Sequence, residues 1–150
     1  MCLYISDTRK VFISFSRRKK FSDSPDAYKV AKDLYARLER EGCKPWMDEE
    51  GIEYGEGLAE GIFTALKECD VIIPVITRGY AMSLWCLREL YYTILQKPRK
   101  KVIPLLLEDE KEIKHERAGS WLIDRGTERK YFKLKEIDAV IDLLKKMVWI

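Results

Sequence analysis

An open α/β sheet of parallel strands with helices on both faces is the fold class this sequence predicts, and three observations predict it. Five short apolar runs alternate with stretches whose apolar positions recur at helical spacing. No two of these runs are joined by a hairpin turn, which argues for parallel β–α units over a sandwich. The chain's 150 residues, 47% hydrophobic and 35% charged, suit one core and leave no room for a second domain. Right-handed crossovers then give a flavodoxin-like three-layer fold, its five-stranded parallel sheet running in the order 2-1-3-4-5.

The first strand is residues 10–15, KVFISF. Ser24 and Pro25 cap a helix on which Ala27, Val30, Ala31, Leu34, Tyr35 and Leu38 keep a 3.6-residue period, and Gly42 ends it. Residues 44–47 form a short second strand. An acidic, glycine-containing loop follows, and Leu58, Ile62, Ala65, Leu66 and Cys69 mark the buried stripe of a second helix. Residues 70–76 are the central strand. A third helix spans residues 83–96, with Leu84, Leu87, Leu90, Tyr91, Ile94 and Leu95 expected toward the core, and Pro98 stops it. Residues 101–107 make the fourth strand, 108–129 are polar and irregular, and 131–134 form an edge strand. Ile137, Val140, Ile141, Leu144 and Val148 mark a closing helix. Residues 1–9 read as an N-terminal extension and 10–150 as the domain, with no internal repeat and no low-complexity linker.

Bulk properties exclude several function classes. A net charge of +3 is small for this length, so no nucleic-acid partner is expected. The longest apolar runs, residues 71–76 and 102–107, fall far short of the roughly 20 residues that cross a bilayer, so no membrane partner is expected either. Residues 1–8 lack the layout of a secretory signal, which predicts a cytoplasmic location. Cys2, Cys43, Cys69 and Cys86 include no CxxC pair, and the single histidine, His115, is far from them in sequence. No metal site and no Cys/His nucleophile pair are expected, and the cysteines beside apolar segments read as small hydrophobes.

At 100° per residue, Glu89 falls nearly opposite the Leu87, Tyr91 and Ile94 stripe of the third helix, and Trp85, one turn earlier, shares its side. The loops after strands one, two and three, around Ser16, Asp48 and Thr77, converge on the edge where this helix begins, the place where open α/β sheets build their pockets. A concave site lined by Phe15, Ser16, Trp85 and Glu89 is therefore expected. The other reading of the pair is a solvated glutamate beside a tryptophan packed on the adjoining loop. A response-regulator receiver fits less well, because its third strand should close on an aspartate and this one ends in Ile76 and Thr77. Gly51, Gly55, Gly57 and Gly61 lack the spacing of a dinucleotide fingerprint and read instead as a mobile loop able to gate the pocket.

Three segments, KVFISFS, PWMDEEGIEYGEGLAEGIFTALKECDVIIPVIT and YAMSLWCLREL, resemble a TIR (Toll/interleukin-1 receptor) domain over residues 10–148. The third segment is more similar to plant-receptor and bacterial members than to animal Toll-receptor ones. The family includes scaffolds that recruit partners and enzymes that cleave the nicotinamide–ribose bond of NAD+. The resemblance implies a catalytic Glu89 and a substrate-binding set of Phe15, Ser16, Arg17, Asp48, Ser83, Trp85 and Cys86. NAD+ is then the substrate, and no cofactor is required. The residue type suits the chemistry, since nicotinamide leaves NAD+ as a neutral molecule and needs no general acid. One carboxylate suffices to stabilise the positive charge that grows on the ribose.

The resemblance also implies that the loop after the second strand, Glu49, Glu50, Gly51, Ile52, Glu53 and Tyr54, is an assembly element. Association with itself or with other TIR domains would then activate the enzyme in immune or cell-death signalling. The acidic loop and the basic group Lys97, Arg99, Lys100 and Lys101 are opposite patches that invite head-to-tail contact; the loop's other reading is a solubility feature. Plant-type members place an arginine after the first-strand phenylalanine, where this chain has Ser16 followed by Arg17 and Arg18. The run Arg17, Arg18, Lys19 and Lys20 reads either as a solvated loop or as a contact for the NAD+ pyrophosphate or a neighbouring subunit. The alternative to an enzyme is a non-catalytic module that signals through homotypic TIR–TIR contacts.

Overall fold

The computed structural model describes residues 9–47 and 56–147, the first five of the second stretch as backbone only. Strands β1 (Lys10–Ser14), β2 (Lys44–Met47) and β3 (Val71–Ile76) pair in parallel, with Ile13 of β1 opposite both Met47 and Ile73. On the far side of β3, β4 (Lys101–Val102) and β5 (Leu105–Leu106) add in parallel, and β6 (Phe132–Lys133) pairs with β5. The expected fourth strand is thus two pieces. Pro104 has no N–H for the ladder, so regular pairing with β3 is interrupted there, although Ile103 N donates to Ile72 O at 3.0 Å and Pro104 O accepts from Phe132 N at 2.8 Å. Counted as one strand, the pieces keep the expected order 2-1-3-4-5.

Alternation along β1 and β3 feeds two cores. Val11, Ile13, Val71, Ile73 and Val75 face α1 (Ala27–Arg40) and α7 (Ile137–Lys146), where Leu34, Leu38, Val140 and Leu144 meet them. Phe12, Ile72 and Ile76 face the other way, onto Ile62 and Leu66 of α2 (Glu56–Glu68) and Leu90 of α4 (Leu84–Ile94). All of β3 is buried, as a strand covered by helices on both faces must be. The polar stretch after β5 holds two short helices, α5 (Glu110–Lys114) and α6 (Gly119–Leu122), instead of being irregular throughout; Ile113 and Leu122 anchor them in the second core.

Helix starts differ from expectation for local reasons. Asp26, not Ser24 or Pro25, caps α1: its carboxylate accepts from Lys29 N at 3.2 Å. Proline restricts the residue before it to extended backbone, and Ser24 instead accepts from Phe21 N within the loop at 3.1 Å. Gly42 ends the helix as expected, with φ at +84°. The third helix is two: α3 (Arg78–Met82), capped by Thr77, and α4, capped by Ser83, whose extended backbone breaks the ladder between them. Among the described residues no helix is long and apolar enough to cross a membrane.

Cys69, at the end of α2, is 3% exposed and donates to Leu66 O at 3.2 Å. Burial pushes its thiol up to about 12 from an ordinary 9.0, and burial raises Cys43 as well. Folded protein therefore keeps protons above pH 9 that the unfolded chain gives up, so stability falls as pH rises from there. Cys69 alone contributes a slope of about 1.4 kcal/mol per pH unit. Chemical denaturation at stepped pH between neutral and strongly alkaline should show that decline, and Cys69→Ala should make it shallower.

Candidate functional site

The last residue of β1 begins the site. Ser14 shares the parity of Phe12, so its side chain points to the α3–α4 face of the sheet, and parallel pairing opposite Pro74 holds its backbone in place. Thr77 Oγ1 accepts from Tyr80 N at 3.0 Å, which starts α3 directly after β3 and turns Tyr80 inward, where it is fully buried. Ser83 Oγ accepts from Cys86 N at 3.2 Å to start α4, and α4 brings Glu89 to the same spot at 3% exposure.

These three side chains form a linear network. Ser14 Oγ donates to Glu89 Oε1 at 2.9 Å, and Ser14 Oγ lies 2.8 Å from Tyr80 Oη. A serine hydroxyl has one proton, so with that proton on the carboxylate it must accept from tyrosine. Burial, with Cys86 and Glu89 adding to it, holds the Tyr80 phenol well above its ordinary 10.0, so tyrosine remains a donor. The result is a hydrogen-bonded chain from phenol to hydroxyl to carboxyl group.

Around this network the expected residues separate into groups. Cys86 is 1% exposed, and its thiol donates to Phe15 O at 3.3 Å, tying α4 to the end of β1. Trp85, half-buried one turn before Glu89, packs on Phe63 of α2 at a centroid distance of 6.0 Å. Its Nε1 is buried and finds no hydrogen-bond partner among the described residues. Phe15 does not line this site. It keeps the parity of Val11 and Ile13, joins the α1-side core and lies 5.7 Å from the Tyr28 ring, on the opposite face of the sheet. Arg17 goes the same way, its guanidinium 3.7 Å from the Tyr28 ring centroid. Ser16 Oγ accepts from Arg18 N at 3.1 Å, and Arg18 Nη1 donates to Met82 O at 3.0 Å, so this loop is fastened to the end of α3. Asp48, with Glu49, Glu50, Gly51, Ile52, Glu53 and Tyr54, lies outside the described residues.

A TIR domain family model matches residues 11–144, nearly the whole chain. The chain belongs to the TIR domain family. This TIR domain is 37% identical over 76 residues to the "Probable 2' cyclic ADP-D-ribose synthase BdTIR" of Brachypodium distachyon, an alignment covering 51% of this chain and 33% of that protein. It is 34% identical over 100 residues to "TMV resistance protein N" of Nicotiana glutinosa, covering 63% of this chain and 8% of that one. This chain therefore spans about a third of the first relative's length and less than a tenth of the second's. Among solved structures, the TIR domains of the activated Roq1 resistosome directly recognizing the pathogen effector XopQ match with a TM-score of 0.55. That match covers 94% of this chain and 86% of that one at 18% identity, a likeness of fold.

Helix α4 carries the largest correction. Leu84, Tyr91 and Leu95, expected toward the core, are 62%, 56% and 59% exposed, whereas the buried face of the TIR domain's α4 is Cys86, Glu89, Leu90 and Thr93. Thr93 donates its hydroxyl to Glu89 O at 2.8 Å, and Glu89 Oε1 accepts from Ser14, so the inward strip tolerates polar groups. Ser14 and Tyr80 were not among the expected site residues. The available signal was the parity of KVFISF, which places a hydroxyl on the same face as Phe12 at the carboxyl end of the strand.

Proposed function

We propose that this TIR domain cleaves the nicotinamide–ribose bond of NAD+, that Glu89 is its catalytic carboxylate, and that self-association activates it in immune or cell-death signalling. The observation that carries the reading is the Glu89 carboxylate, buried at the carboxyl end of the sheet, hydrogen-bonded by Ser14, and one helical turn from Trp85. Similarity to a probable cyclic ADP-ribose synthase supports the substrate class. As the C1′–N bond breaks, its electron pair goes to nicotinamide nitrogen, neutralising the ring, and positive charge develops on the ribose. A fixed carboxylate in a water-poor site stabilises that charge. Water then adds at C1′ and releases a proton, giving ADP-ribose, or a hydroxyl of the same molecule adds and gives a cyclic product. Incubation with NAD+, following nicotinamide release and product mass, tests the reaction; no release at high protein concentration would refute it.

Burial also bears on regulation. Glu89 is only 3% exposed in the monomer, which supports a resting state that opens on association. Specific activity should therefore rise with protein concentration, rise again with a crowding agent and fall with added salt. A flat response to all three would remove self-association from the mechanism.

A second reading, a docking module without catalysis, is favoured by the apolar stripe Leu84, Tyr91 and Leu95 on the outer face of α4. Tyr91 of that stripe lines, with Leu87, Arg88, Ala118 and Trp121, a shallow groove of about 310 Å³. It predicts partner capture that survives loss of Glu89 and no nicotinamide release.

A further inference from the structure

Buried hydroxyls are costly in a core unless they are hydrogen-bonded, and two of them sit directly behind Glu89. Ser14 is 1% exposed and Tyr80 0%. They come from different elements: Ser14 from β1, locked by strand pairing, and Tyr80 from α3, locked by the Thr77 cap. Glu89 comes from a third, α4. The Tyr80 hydroxyl also donates a long hydrogen bond to Cys86 O at 3.5 Å. Packing alone does not require this arrangement, because alanine at 14 and phenylalanine at 80 would fill similar volumes without burying two hydroxyls.

We propose that Ser14 and Tyr80 are positioning residues that act in series on Glu89. Ser14 fixes the rotamer of the carboxylate and supplies one donor to its charged form. Tyr80 orients the Ser14 hydroxyl so that its single proton points at Glu89 Oε1. Neither touches substrate. This inference rests on the reading of Glu89 as the catalytic carboxylate, and it adds a specific order of dependence: Tyr80 matters only while Ser14 is present.

Serial action has a measurable signature. Ser14→Ala should lower kcat for nicotinamide release by about 10- to 100-fold with KM within about threefold, because a misaimed carboxylate affects the transition state more than binding. Tyr80→Phe should lower kcat by a smaller factor, roughly 3- to 10-fold, again at near-constant KM. The double variant should be no slower than Ser14→Ala alone, within about twofold, whereas independent roles would multiply. Thermal melts of each variant accompany the kinetics, and if Ser14→Ala does not fold, the fall in kcat at constant KM in Tyr80→Phe decides the matter.

The outcomes separate cleanly. If the parent protein turns over NAD+ and Glu89→Gln does not, yet Ser14→Ala and Tyr80→Phe keep the parental kcat, the positioning role is overturned while the catalytic reading stands. Multiplying effects in the double variant overturn the serial order. If Glu89→Gln keeps the parental rate, the catalytic reading itself is wrong, and the positioning role falls with it.

Discussion

Glu89→Gln is expected to reduce nicotinamide release from NAD+ by about three orders of magnitude or more while leaving the fold intact. Glutamine keeps the shape of the side chain and an oxygen able to accept from Ser14, so what it removes is the charge. A charge in a buried, water-poor site acts on a developing cation far more strongly than one at the surface, because the surrounding dielectric screens it less. The same burial makes the carboxylate costly to the folded state, and an amide of equal size relieves that cost. The melting temperature should therefore hold or rise while activity disappears. Glu89→Ala should abolish turnover too, but it leaves a void and an unpaired Ser14 hydroxyl and is expected to melt lower. Parental turnover in Glu89→Gln at an unchanged melting temperature would show that the reaction does not depend on the Glu89 charge and would remove Glu89 from the catalytic role.

The fold was legible because it depends on features that local pattern carries well. Alternating strand and helix stretches, an all-buried β3 and short connections leave few topologies, and the observed sheet order follows. Where the chain departs, a specific residue explains it: Pro104 divides the fourth strand, Thr77 and Ser83 divide the third helix, and Asp26 takes the cap from Ser24. The site was legible in part. The proximity of Glu89 to the end of β1 follows from topology, but its burial does not follow from periodicity. A stripe count treats every apolar face as a core face, and on α4 an apolar stripe of Leu84, Tyr91 and Leu95 faces outward. Facing inward, Glu89 meets a hydroxyl on β1 that is itself bonded to one on α3, and no single-helix pattern registers a partner 75 residues away. Phe15 was misassigned for a simpler reason. Strand parity puts it with Val11 and Ile13 on the opposite face, and nearness in sequence to Ser14 does not make it a neighbour in the site.

Gly79→Ala should be strongly damaging for so conservative a change outside the site. A Cβ at this position would stand 1.8 Å from Arg18 O and 2.7 Å from Arg18 C, both main-chain atoms that cannot rotate away. The loop cannot retreat freely either, since Arg18 N is bonded to Ser16 Oγ and its side chain to Met82 O at the end of the same helix. Either the loop or α3 must move, at a cost of about 3 kcal/mol, which in a domain of this size lowers the melting temperature by roughly 6–12 °C. Gly61→Ala on α2 is the matched control. Its added Cβ meets nothing within 4 Å, and a helical glycine replaced by alanine should be neutral or slightly stabilising. The two outcomes for Gly79→Ala also differ in the site. If α3 moves, Tyr80 leaves Ser14 and kcat falls together with the melting temperature. If the loop after β1 moves instead, the variant melts early but, at temperatures where it is folded, keeps the parental kcat, because the hydroxyls behind Glu89 stay where they were.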